Sequence, residues 1–353
     1  MENPDSPCLD LADAGPQGHT GVRRSRGPGG GVGDKMKADT GSNLWVLVGL
    51  VAFCLQPISA GAQPLPQYGA AVHLGVQSCA GSTCHGAPQA FTGSTVKQNE
   101  FAVWQSQDRH SKAYAVLLNE RSRRIARNLG LASAAGAPVC LNCHADNVPA
   151  DKRGRQFNIA DGVGCEACHG GGSSYLGVHI AGTGDHSANV AAGLYPSELA
   201  APRGKLCISC HFGDDGKSIT HRIMGAGHPR MPFELATFTQ SQPAHYVADA
   251  DYARRKKAPG TLQTWVVGQA MMLNELLEAM IHPRRGRDGA FPELVLFDCT
   301  SCHHSLYDIR WEPRPNSGIA PGSIRFNDAN AVMLAIVLRQ SAPQVAAELE
   351  ERT

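Results

Sequence analysis

Residues 161–171 read DGVGCEACHGG, and the segment from Cys165 to His169 sets a pattern that recurs along the chain. Two cysteines are separated by two residues, and a histidine directly follows the second cysteine. The same spacing occurs three more times, and a fifth pair has four residues between its cysteines. In chain order we call these segments motifs I to V: Cys79–His85 (CAGSTCH), Cys140–His144 (CLNCH), Cys165–His169 (CEACH), Cys207–His211 (CISCH) and Cys299–His303 (CTSCH).

The spacing of the motifs indicates covalent haem attachment. Two thiols at this separation can add to the two vinyl groups of one haem, while the adjoining histidine binds the iron from the proximal side. A disulfide framework is the alternative for exported cysteines, and zinc also binds paired cysteines, but neither requires a histidine after every pair. The sequence therefore predicts five covalent c-type haems. The predicted attachment residues are Cys79, Cys84, Cys140, Cys143, Cys165, Cys168, Cys207, Cys210, Cys299 and Cys302, and the predicted proximal ligands are His85, His144, His169, His211 and His303.

The composition agrees with an interior that is filled partly by cofactors. The 353 residues include 32 Lys and Arg against 31 Asp and Glu, so neither a nucleic-acid-binding surface nor an acidic tail is indicated. The chain has 39 Gly and 22 Pro, which leaves a thin apolar core for its length. We expect cofactor binding and folding to be coupled, as in small metal-dependent domains.

The first 62 residues have the layout of an export signal. Lys37 precedes an apolar run from Leu44 to Leu55, and small residues at 60–62 follow. The run is shorter than the roughly 20 residues that a membrane-spanning helix needs. We expect a signal peptide at 36–62, a periplasmic protein and no stable membrane span in the mature chain. Residues 1–35 are either a disordered extension or the result of a start codon assigned too early, with Met36 as the initiator.

The remaining histidines are candidates for the second axial position of each iron, the distal position. Nine lie in the expected mature chain outside the five proximal positions, which exceeds what five irons can bind. Local context selects six candidate distal ligands: His73, His110, His179, His221, His228 and His304. We expect His186 and His282 at the surface, and the sequence assigns no role to His245.

The longer motifs resemble a known family. The stretches CLNCH, GVGCEACHG and HRIMGAGHPRMPFEL resemble the multihaem cytochrome c family that includes the cytochrome c-554/c-prime type and shares haem packing with hydroxylamine oxidoreductase. HLGVQSCAGSTCHG and FDCTSCHHSL are similar to the same class, so the resemblance spans residues 72–307. It implies a mainly α, loop-rich fold wound around stacked covalent haems, and it implies His110, His179 and His228 as distal ligands. The chain departs from the tetrahaem type in having five motifs.

The resemblance also implies a role in electron transfer, with other redox proteins as electron donor and acceptor. We expect a carrier rather than an enzyme, since abundant histidine favours irons whose axial positions are both filled. For a multihaem enzyme of the nitrite- or tetrathionate-reducing kind, the resemblance implies a modified motif, CxxCK, with Lys as the proximal ligand. This motif does not occur in the sequence. Two alternatives stay open: a multihaem redox enzyme acting on a small nitrogen or sulfur compound at one open haem, and a haem-based ligand sensor.

Apolar periodicity outlines the helices. It predicts helices at 113–129, 262–281, 327–338 and 343–351, and few strands. We expect a multihaem domain at 63–325 followed by a helical segment at 326–353. Met271 and Met272 fit a helix-face core better than axial ligation. The basic run at 254–257 fits a solvated helix end, with a docking patch for an acidic redox partner as the alternative.

Overall fold

Short helices joined by loops form most of the protein in the computed structural model, which describes residues 63–93, 96–182, 184–285, 287, 292–303 and 323–352. The mainly α, loop-rich fold class is therefore confirmed. The expected signal peptide and His304 lie outside the described residues. Within the described ranges, no helix is both long enough and apolar enough to cross a membrane.

The helices follow one another in chain order. They are α1 (Glu100–Gln107), α2 (Ala113–Val116), α3 (Glu120–Asn128), α4 (Pro138–His144), α5 (Cys165–His169), α6 (Gly172–Ala181), α7 (His186–Ala191), α8 (Ala200–His211), α9 (His221–Gly225), α10 (Leu235–Ser241), α11 (Ala250–Lys256), α12 (Thr261–Ile281), α13 (Ala329–Ser341) and α14 (Pro343–Arg352). Single 3₁₀ turns lie at Pro66–Tyr68, Val76–Ser78, Arg109–Lys112, Ala150–Lys152, Ile159–Asp161, Leu294–Leu296 and Cys299–Ser301.

A two-stranded ribbon follows motif IV directly. Strands β1 (Gly213–Asp214) and β2 (Lys217–Ser218) pair antiparallel, with Gly213 opposite Ser218. The Asp214 carboxylate accepts the backbone N–H of Gly216 at 2.8 Å and that of Lys217 at 3.1 Å, which closes the turn between the strands. The ribbon is the one sheet among the described residues, in line with the few strands predicted.

The predicted helix at 113–129 is divided in the structure. α2 ends at Val116 and α3 begins at Glu120, so the single long helix was wrong. Asn119 supplies the physical reason, because its side chain accepts the backbone N–H of Ser122 at 2.8 Å and caps a new helix. The predictions at 262–281 and 343–351 agree with α12 and α14 to within one residue, and α13 starts two residues later than predicted and ends three residues later.

The helix that carries motif IV is held against the longest helix by a close backbone approach. A Cβ on Gly204 of α8 would lie 2.6 Å from the sulfur of Met271, and one on Gly268 of α12 would lie 2.6 Å from Cβ of Leu235. Leu235 itself is fully buried, and Met272 is buried in the same helix. Both methionines therefore take part in helix packing. On its other side α12 packs against α13 through Leu273 and the neighbouring apolar residues of α13.

Glu166 fastens motif III to the segment that precedes motif I. Its buried carboxylate accepts the backbone N–H groups of Leu74 and Gly75 at 2.7 Å each, and that of Gly172 at 2.6 Å. Gly75 adopts a φ of 99°, a conformation that favours glycine. Three hydrogen bonds to one buried carboxylate satisfy its charge and fix the position of both motifs.

Candidate functional site

Each motif histidine faces one other histidine. We number these histidine pairs by the motif: pair I is His85 with His179 (ring centres 5.9 Å apart), pair II is His144 with His228 (6.3 Å), pair III is His169 with His245 (6.2 Å), pair IV is His211 with His110 (6.3 Å) and pair V is His303 with His221 (6.0 Å). Two imidazole nitrogens that each bind one metal ion at about 2 Å put their ring centres about 6 Å apart. All five spacings fit an iron held between two imidazoles.

Local helical structure orients three of the motifs. Motifs II, III and IV are the whole or the last turn of α4, α5 and α8. In a helix, residues at positions i, i+3 and i+4 share one face, so the two cysteines and the histidine point the same way. One face of each helix thus presents two thiols and one imidazole.

Motif I reaches a comparable arrangement without a helix. Its extra residues form a turn in which Cys84 donates its backbone N–H to Gly81 at 2.9 Å. The backbone N–H of His85 then bonds to the carbonyl of Cys79 at 3.2 Å, which brings the histidine back to the first cysteine. The turn therefore accommodates the two extra residues of motif I.

Hydrogen bonds at Nδ1 set which ring nitrogen is free in several of the histidines. The acceptors are Glu100 for His85 (3.0 Å), Asp108 for His110 (2.8 Å), the Ala113 carbonyl for His144 (3.0 Å) and the Pro229 carbonyl for His228 (2.9 Å). A carbonyl or a carboxylate can only accept, so Nδ1 carries the proton in each case. Nε2 is then the nitrogen available to a metal, as is usual for metal-bound histidine.

The electrostatics divide the histidines of the pairs into two groups. Burial lowers the pKa of His169 to about 3 and that of His211 to about 4. Hydrogen bonds to Glu100 and Asp108 instead raise the pKa of His85 and His110. For Asp108, burial acts to raise the pKa, but hydrogen bonds from His110 and Gln242 outweigh it and lower the pKa to about 2. A metal requires neutral imidazole, which burial supplies in His169 and His211.

Motifs I to IV line one continuous cavity of ≈ 1890 Å³. Their eleven cavity-lining cysteine and histidine side chains share its wall with His110, His179, His228 and His245. Divided among the four motifs, the cavity offers about 470 Å³ to each, which lies within the range typical of a cofactor pocket. Cavity size, thiols and paired imidazoles together fit covalently held haem at these four motifs. Motif V meets His221 outside this cavity.

The motifs also contact one another. The Cys165 thiol of motif III and the Cys79 thiol of motif I lie close enough to shift each other's pKa, and so do the Cys143 thiol of motif II and the Cys210 thiol of motif IV. Burial and the nearby thiols of motif IV raise the pKa of Cys168, which places motif III beside motif IV. In space the four motifs therefore follow the order I, III, IV, II.

Comparison with known proteins gives a family match over part of the chain. Residues 78–170 match the family model described as cytochrome c554 and c-prime. This segment belongs to a multihaem cytochrome c family. The matched residues contain motifs I to III, whereas motifs IV and V lie beyond them. The family carries covalently bound c-type haem and has a role in electron transfer. No curated protein and no solved structure matches the chain.

Four of the six histidines selected from the sequence lie in the histidine pairs. His110, His179, His221 and His228 each face a motif histidine. His73 lies apart from the pairs; it is 1% exposed, and its Nδ1 is 2.7 Å from Asp146.

Sequence reasoning missed His245, which faces His169. The residues around it, SQPAHY, carry no recognisable motif. The count of ligands gave no signal either, because five selected histidines remain for five irons when His304, which adjoins His303, is set aside.

Two histidines expected at the surface are partly enclosed, and that expectation was wrong. The His186 side chain is 13% exposed, and its two ring nitrogens contact Glu198 at 2.7 Å and Lys256 at 2.9 Å. His282 is half-buried and accepts the backbone N–H of Arg285 at 2.9 Å. Polar partners explain the burial of both rings.

The basic run at 254–257 lies at the C-terminal end of α11 and borders the cavity. Arg254 and Arg255 pair with Asp251 one turn earlier in the helix. The positive side chains also complement the negative end of the helix dipole.

Proposed function

We propose that the protein is an exported pentahaem cytochrome c that transfers electrons between redox partners in the periplasm. The observation that carries the proposal is the facing histidine of every motif, at ring-centre distances of 5.9–6.3 Å. Two imidazoles per iron fill both axial positions, and a substrate then finds no open coordination site. This arrangement suits a carrier better than an enzyme or a sensor.

In this proposal the side chains have three roles. The ten cysteines of the motifs form the thioether bonds, and the motif histidines are the proximal ligands. The distal ligands are His179 for motif I, His228 for motif II, His245 for motif III, His110 for motif IV and His221 for motif V. We leave His73 out of the ligand set, because it faces no motif histidine among the described residues. His304 is left out because it adjoins His303.

Bound haem supplies an iron that cycles between its ferric and ferrous states. The chain's own contribution is to hold neighbouring sites together and, at His169 and His211, to keep the imidazole neutral by burial. Contacts between the cysteines of motifs I and III, and of motifs II and IV, support closely spaced centres. The short segment from His221 to His228 connects the ligands proposed for motifs V and II. A series of contiguous sites is what an electron carrier with several centres requires.

Export is supported by the apolar run at 44–55 and by the small residues at 60–62, which lie outside the described residues. The periplasm also provides the oxidising compartment in which exported cysteine pairs are processed. The partners we propose are other redox proteins that donate and accept single electrons. The small net charge of the chain offers no preference for a strongly charged partner.

Three measurements on the purified protein test the proposal. Mass spectrometry should give the chain plus five haems, and a mass with four haems would indicate that a motif is vacant. Electron paramagnetic resonance of the oxidised protein should show low-spin iron alone. Carbon monoxide should not bind to the fully reduced protein. One high-spin iron, or one equivalent of bound carbon monoxide, would overturn the carrier assignment in favour of the redox enzyme or the ligand sensor.

A further inference from the structure

Among the described residues, two of the five histidine pairs have an acidic side chain hydrogen-bonded to one imidazole. We propose that Asp108 and Glu100 are positioning residues that lower the reduction potentials of the haems at motifs IV and I, respectively. The inference rests on the proposed function, because it takes His110 and His85 as iron ligands. It goes beyond that function in predicting which haems have the lower reduction potentials.

Hydrogen bonds fix the carboxylate of Asp108 against the ring of His110. Its Oδ1 lies 2.8 Å from Nδ1 of His110 and also accepts the backbone N–H of the same residue at 3.0 Å. Its Oδ2 accepts a hydrogen bond from the Gln242 side chain at 3.0 Å. Asp108 is 4% exposed. Both oxygens are thus engaged, and the carboxylate cannot rotate away from the imidazole without breaking other bonds.

Glu100 holds His85 in a similar way at the first residue of α1. Its Oε2 lies 3.0 Å from Nδ1 of His85. Its Oε1 accepts the backbone N–H groups of Lys97 and Gln98 at 3.2 and 3.1 Å. Its side chain is half-buried, which limits screening of the interaction by water.

The other ligands provide an internal contrast. In pair II both Nδ1–H groups are donated to neutral backbone carbonyls, those of Ala113 and Pro229. In pair IV the partner of His110 is His211, whose Nδ1 is buried with no partner among the described residues. Asp108 is therefore the one acceptor in pair IV that can polarise an imidazole, and its effect is not duplicated across the iron.

A carboxylate acts on the iron through the ring. Its negative charge draws the Nδ1 proton toward itself and increases electron density at Nε2, so the ligand becomes more basic. A more basic ligand stabilises ferric iron more than ferrous iron, which lowers the reduction potential. Neutral carbonyl acceptors have a weaker effect. The sites at motifs I and IV should therefore be harder to reduce than the site at motif II.

The test is Asp108→Asn in the full-length haem-loaded protein. Asparagine keeps an oxygen that can accept from Nδ1 and from the backbone, but it removes the charge. Spectroelectrochemical titration should show the redox equilibrium of one haem shifted toward the reduced form by about tenfold, which is about 59 mV for one electron. The electron paramagnetic resonance signal of that haem should shift while remaining low-spin.

Asp146→Asn is the matched control for the loss of charge. Asp146 is also buried and, like Asp108, acts electrostatically on Cys168, but its hydrogen bond goes to His73, which is outside the pairs. Glu100→Gln is the second variant, and it should shift a different haem. If Asp108→Asn moves every haem equally, or no more than Asp146→Asn does, with five low-spin haems retained, the inference is overturned and the carrier function stands. High-spin iron in the unmodified protein would instead count against the proposed function.

Discussion

Replacing His245 by alanine tests the one proposed ligand for which the sequence gave no signal. Its ring centre lies 6.2 Å from that of His169, so truncation at Cβ leaves a gap that no remaining atom of residue 245 can bridge. Tyr246 is the adjacent ring, but it stacks on Tyr252 at 5.1 Å. One of five irons should therefore become five-coordinate and high-spin.

The expected magnitude is one equivalent of carbon monoxide per reduced chain, against none for the unmodified protein. A fifth of the low-spin signal of the oxidised protein should be lost, while the mass still corresponds to five haems. His186→Ala is the control, since His186 also borders the cavity but contacts Glu198 and Lys256 rather than a motif histidine. Equal carbon monoxide binding by the two variants would refute the assignment of His245.

Three further predictions concern the haem environment, the core and the N-terminus. The relative orientation of the two axial imidazole planes determines the shape of a low-spin electron paramagnetic resonance signal. Pairs I and V, with 14° and 32° between the rings, should give rhombic signals, and pairs II, III and IV, with 81–90°, should give signals with one large g value. A single class of signal would contradict these angles. Leu276→Ala should reduce the free energy of unfolding, measured by chemical denaturation, by about 2–5 kcal/mol, because Leu276 is 2% exposed. Leu277 is 48% exposed, so Leu277→Ala should change the free energy of unfolding little. Equal losses in the two variants would be inconsistent with this packing. Edman sequencing of the periplasmic protein should begin near Gln63, and recovery of Met1 or Met36 would exclude the expected cleavage.

The sequence predicted local features well because their chemistry is local. A cysteine pair and its adjoining histidine are encoded within seven residues or fewer, so the proposed attachment sites could be read directly. Helix α12 was likewise predicted from uninterrupted apolar periodicity. The division between α2 and α3 was missed because apolar spacing continues across Asn119, and the capping hydrogen bond to Ser122 decides the outcome.

The histidine pairs could not be predicted because they depend on the fold. His110 faces His211 across two intervening motifs, and His245 faces His169 from beyond motif IV. Position along the chain gave false guidance at His73, which immediately precedes motif I but bonds to Asp146. A histidine can either pair with a buried carboxylate or bind a metal ion, and tertiary packing decides which of the two occurs.

The histidine pairs interlock along the chain, and this has a consequence for how the protein can be assembled or shortened. Ordered by first residue, the pairs join 85 with 179, 110 with 211, 144 with 228, 169 with 245 and 221 with 303, and each begins before the one ahead of it closes. A single cut anywhere between residues 85 and 303 would separate at least one pair. Removing a motif from either end would therefore leave an orphaned imidazole in the remainder, so this domain should not divide into smaller working cytochromes in the way that a tandem array of independent modules does.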